Sequence, residues 1–95
     1  MYTRTATVAA SVGLHARPAA AFVRAVNKTG LPIMLSRPGT APVDARSLLA
    51  VMTADFDHGA EVEITVAADC GASQHEVEAG IDELAELLHS PLLDR

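Results

Sequence analysis

Apolar positions along the chain switch between two spacings, and the switches outline seven elements. Residues 3–9 alternate weakly, with Ala6 and Val8 on one side and threonines on the other, which predicts a first strand. Residues 16–27 place Ala19, Phe22, Val23 and Val26 at helical spacing, with Arg17, Arg24 and Lys28 on another face and Gly30 as the stop. Leu31, Ile33 and Leu35 alternate again. Arg37-Pro38-Gly39-Thr40 has the Pro-Gly centre of a type II turn, and a short strand over 41–44 returns beside the second strand. Pro42 can donate no ladder bond, so that strand belongs at an edge. Ser47 caps a short apolar helix over 48–54. Residues 61–67 alternate strictly, with Val62, Ile64 and Val66 facing inward. Ser73-Gln74-His75-Glu76 matches a capping box, and the last helix buries Val77, Ile81, Leu84 and Leu88. Gly80 inside it costs roughly 1 kcal/mol relative to alanine.

The order β-α-β-β-α-β-α, in 95 residues, predicts one α+β domain over 1–95: a four-stranded antiparallel sheet with helices on one face. Ser90–Arg95 reads as a loose tail. No apolar run reaches the roughly 18 residues of a membrane span, and no signal-peptide pattern opens the chain. The single cysteine, Cys70, allows no internal disulfide and anchors no zinc site alone, so a reducing, cytoplasmic setting is expected. The formal charge of −5 and only 3% aromatic residues argue against a nucleic-acid binder. That charge is divided unevenly: residues 1–46 carry +5 and residues 47–95 carry −10. The basic half suits an anionic ligand or an acidic partner.

The chemistry concentrates in Gly13-Leu14-His15-Ala16-Arg17-Pro18. Pro18 is tolerated only in a first helical turn, so His15 falls at or beside the N-cap, where histidine is a poor cap. The amides of Ala16 and Arg17 lack intrahelical partners there, the helix dipole is positive, and Arg17 adds a guanidinium suited to phosphate oxygens. A neutral, nucleophilic imidazole at an electropositive helix start, within a phosphate cradle, is the expected site. His58, His75 and His89 show no metal-ligand spacing and read as surface residues. No metal and no cofactor is expected.

The segment from Gly13 to Ala19 resembles the active-site signature of HPr, the histidine-containing phosphocarrier family of the sugar phosphotransferase system. Arg46-Ser47-Leu48-Leu49-Ala50-Val51-Met52 resembles that family's second signature, and spacing and element order agree over about residues 2–89. The resemblance implies an HPr-like open-faced β-sandwich. It implies that His15 accepts a phosphoryl group on Nδ1 from enzyme I and passes it to an enzyme IIA, with Arg17 stabilising the group. It also implies a partner surface of Arg24, Lys28, Leu48, Leu49 and Met52. In part of the family a dedicated kinase phosphorylates the serine matching Ser47 as a regulatory mark. A monomeric carrier is expected. A regulatory binding module on the same fold, or a carrier for a nitrogen or dihydroxyacetone branch, stays open. The chain departs from the family at Pro38–Pro42, which is longer than the usual hairpin, and at Thr53–Asp57, which lacks the Leu-Gly often found there.

Overall fold

The structure, a computed structural model, describes residues 2–67 and 71–90. In chain order its elements are β1 (Arg4–Thr7), α1 (Ala16–Thr29), β2 (Ile33–Ser36), β3 (Val43–Asp44), α2 (Leu48–Thr53), β4 (Glu61–Val66) and α3 (Gln74–His89). The strands form one antiparallel sheet in the order β1-β4-β2-β3. The expected order and fold class hold, and the three helices pack on the sheet's apolar face. Cys70 and residues 91–95 of the tail lie outside the described residues.

Strand alternation sets which face is covered. Ala6, Val62, Ile64, Val66, Ile33 and Leu35 are buried, while Thr5, Thr7 and Glu61 face solvent. Register follows from that pattern, with Ala6 opposite Val62 and Leu35 opposite Ile64. The helices complete the core with Phe22, Val26, Val51, Ile81, Leu84 and Leu88. Val77, expected inside, is half-buried at the margin.

The first strand is shorter than its alternation suggested. Past Thr7 the chain leaves the ladder: Val8 N–H donates to Ala60 O at 2.9 Å, and Ala9 N–H donates to Leu88 O at 2.9 Å. Val8 and Ala10 stay fully buried, so the apolar pattern outlasts the strand. β3 shrinks to two residues at the sheet edge, directly after Pro42. Thr40 N–H donates to Arg37 O at 3.1 Å with Gly39 at φ 83°, the geometry expected of the Pro-Gly turn. Gly80 has a packing reason, because a Cβ there would stand 2.8 Å from Leu31 Cδ1.

Candidate functional site

His15 is held by a loop that crosses another loop at very short range. Gly13 sits at φ 75°, and a Cβ on it would meet Phe56 O at 2.6 Å and Asp57 Cα at 2.8 Å. Only glycine fits that approach. Leu14 N–H donates to Phe56 O at 2.7 Å, and the Leu14 side chain is fully buried. The segment before His15 is thus fixed to residues 56–57, although about forty positions separate them in sequence.

His15 is the N-cap of α1, in extended backbone at φ −131°, and its side chain makes no capping hydrogen bond. The next residue, Ala16, takes the left-handed φ of 50°, and the first helical bond, Ala19 N–H to His15 O, is long at 3.4 Å. The helix therefore opens irregularly, where Pro18 had suggested only a start point. Pro18 itself is buried in the first turn. Left-handed backbone at a non-glycine residue costs of order 1–3 kcal/mol and persists only where its surroundings enforce it.

The ring is one-third exposed, and its surroundings correct the expectation of a purely electropositive site. Nε2 lies 2.9 Å from Asp55 Oδ1 and 3.8 Å from Asp57 Oδ1. Both acids stand on the loop after α2, and Asp55 is itself at φ 60°. Sequence reasoning missed them because a loop has no periodicity to align it with a distant helix start. The only signal was that this segment departs from the family pattern.

Arg37, which no sequence argument singled out, fixes the acidic loop from the far side. Its guanidinium donates to Ala54 O at 2.9 Å and to Asp55 O, and it lies 5.0 Å from the centre of the buried Phe56 ring. The arrangement combines charge-assisted hydrogen bonds with a cation–π contact.

Arg17, Arg24 and Lys28 are exposed on α1 and form no ion pair among the described residues. On α2, Leu49 is 78% exposed, with Leu48 and Met52 exposed beside it, while Val51 enters the core. Val12, in the loop leading to His15, is a further exposed apolar residue that the sequence did not flag. Ser47 Oγ accepts from Ala50 N–H at 3.2 Å and caps α2, and Arg46 is engaged with Asp44 at 3.0 Å. That pairing holds the Asp44 carboxyl below the ordinary range, chiefly through the side-chain hydrogen bond from Arg46.

His58 Nδ1 lies 3.1 Å from Ala10 O, and His75 and His89 are exposed on α3. The closest approach to a metal-ligand set among the described residues is His15, Asp55 and Asp57, whose ligand atoms lie within 4.8 Å of one another. The 2.9 Å contact between His15 Nε2 and Asp55 already accounts for this convergence, and no metal role is assigned to it.

Comparison with known proteins adds independent findings. Residues 2–90 match the family model described as the PTS HPr component phosphorylation site. A phosphocarrier protein HPr from Streptomyces coelicolor is 39% identical over 88 residues, covering 93% of this chain and 88% of that protein. One from Haloferax volcanii is 36% identical over 89 residues, covering 93% of each. Among solved structures, a phosphocarrier HPr from Bacillus anthracis superposes with a TM-score of 0.78 at 28% identity, covering 92% of this chain and 95% of that one.

Proposed function

The chain belongs to the HPr family of phosphotransferase-system phosphocarriers, and from that premise we propose that His15 is the residue that carries the phosphoryl group. The observation that carries this reading is the cap of α1. A histidine that makes no capping bond, one-third exposed and two residues before the exposed Arg17, is explained poorly by stability and well by group transfer.

In this reading, Nδ1 of His15 attacks the phosphorus of phosphorylated enzyme I, and the group later passes to a histidine of an enzyme IIA. The chain acts as a carrier and is charged once per cycle, in the cytoplasm. Transfer between two imidazoles needs alignment and charge stabilisation more than covalent help. Arg17 and the first-turn amides of Ala16 and Arg17 supply donors for the phosphoryl oxygens. The exposed apolar side chains Leu48, Leu49 and Met52 form the contact surface, and Arg24 and Lys28 add positive charge that attracts an acidic partner. A partner that must be released calls for a small, weak interface.

The direct test is incubation with phosphoenolpyruvate and enzyme I. One acid-labile phosphate per chain is expected, and none on His15→Ala. Label that persists on that variant would move the site elsewhere. Leu49→Glu should slow transfer without changing stability, since a side chain this exposed contributes little packing. At Ser47 the hydroxyl is engaged as the α2 cap and Arg46 with Asp44, which favours the capping role over a regulatory one.

A further inference from the structure

We propose that Asp55 is a positioning residue for His15: its carboxylate accepts a hydrogen bond from Nε2–H and so keeps Nδ1 bare as the attacking nitrogen, and it balances the charge that attack creates. The inference rests on His15 being the carrier residue and adds a role that neither the fold nor the family match assigns. It starts from the 2.9 Å separation between Nε2 and Asp55 Oδ1, a charge-assisted hydrogen-bond distance. A neutral imidazole has one N–H, and the bond made by one nitrogen decides the state of the other. A carboxylate can only accept, so the proton stays on Nε2 and the lone pair is presented at Nδ1.

The transfer step then balances without an external base. The Nδ1 lone pair forms the new N–P bond, while the P–N bond of the donor breaks and its electron pair stays with the donor. Nδ1 has no proton to lose and Nε2 keeps its own, so the ring passes from neutral to cationic. Asp55 already stands where that positive charge develops. The carboxylate that orients a catalytic histidine and stabilises its imidazolium in serine hydrolases follows the same logic.

The geometry around Asp55 is held rather than incidental. Arg37 donates to the carbonyls of Ala54 and Asp55, Phe56 is buried under its guanidinium, and Phe56 O accepts from Leu14 N–H. The histidine loop and the acid loop are therefore fixed to each other. Asp57, at 3.8 Å, lies beyond hydrogen-bond distance and is secondary. Both members of the 2.9 Å pair reach solvent, which limits the size of the effect. An exposed ion pair supports a change of about two- to fivefold in rate.

Two substitutions separate tautomer from charge. Asp55→Asn keeps an acceptor oxygen and tolerates left-handed backbone, and Asp55→Gly removes the side chain and accepts φ 60° without strain. Nitrogen-15 spectra of the His15 ring, at alkaline pH where an imidazole is neutral, report the tautomer directly. The wild type and Asp55→Asn should show the proton on Nε2, Asp55→Gly a shift toward a mixture, and Asp57→Asn no change. Single-turnover phosphorylation by phosphorylated enzyme I should slow about two- to fivefold in both Asp55 variants through the maximal rate, with half-saturation unchanged. A wild-type ring protonated on Nδ1, or a tautomer and rate that Asp55→Gly leaves unaltered, would overturn the proposal. The spectra need no phosphate, so they stand apart from the labelling of His15→Ala, which tests the carrier assignment itself.

Discussion

Two helix starts in this molecule face the same problem and solve it differently. At α3, Ser73 Oγ accepts from Glu76 N–H at 3.1 Å and its hydroxyl donates to Glu76 Oε1 at 3.2 Å, so the first turn is capped and regular. At α1 the cap is a histidine that makes no capping bond, the next residue is left-handed, and the first helical bond is stretched. The α3 start follows every local rule and contributes stability. The α1 start breaks several within two residues, and the breaches coincide with the proposed site of phosphoryl transfer, the pattern expected where function competes with local preference. What compensates at α1 is tertiary: the glycine approach, the Leu14 anchor and the loop that Arg37 holds.

That comparison breaks first at its support. Gly13→Ala adds a Cβ against backbone that cannot turn aside and forces alanine into φ 75°. A loss of about 2–4 kcal/mol in denaturant unfolding is expected, together with reduced phosphoryl acceptance. Ser73→Ala should cost about 1 kcal/mol and leave the carrier function intact, since it removes only the α3 cap. His15→Ser reverses the comparison. It is expected to abolish phosphorylation if His15 is the carrier residue, yet the cap gained and the exposed contact with Asp55 lost should nearly cancel, leaving stability within about 0.5 kcal/mol of the wild type. An unfolding curve shifted by much more would mean that His15 supports the fold.

The smallest effect is expected far from either helix start. Asp82 on α3 accepts from the Tyr2 hydroxyl at 2.5 Å and from Arg4 at 3.2 Å, tying the start of the chain and β1 to α3. The Tyr2 hydrogen bond first, and Arg4 after it, hold the Asp82 carboxyl below its ordinary value. Because the folded value is the lower one, the stabilisation is complete above the ordinary carboxylate range and is lost as pH falls through the folded value. Asp82→Asn should therefore lower stability slightly at neutral pH, leave it unchanged at low pH, and so flatten the acid limb of a stability–pH profile. A steeper acid limb in that variant would contradict the direction.

Much of the architecture was legible along the chain because it depends on local periodicity. The Val62-Ile64-Val66 alternation, the Ala19-Phe22-Val23-Val26 stripe, the two serine caps and the Pro-Gly turn each encode their element within a few residues. His15 at the head of α1 was legible for the same reason, since Pro18 fixes the first turn. Lengths were less legible: β1 stops at Thr7 because Val8 finds its partner in the turn before β4, a pairing no alternation reveals.

By itself the sequence determined the order of elements, the apolar faces, the helix caps and the place of His15 at the head of α1. Tertiary structure alone decided what surrounds that histidine. Asp55 and Asp57 reach it because a glycine lets two backbones touch and an arginine pins the loop that carries them. Period and propensity act over a handful of residues, whereas the electrostatics of a site depend on distance in space, and that distance is set only when remote segments pack.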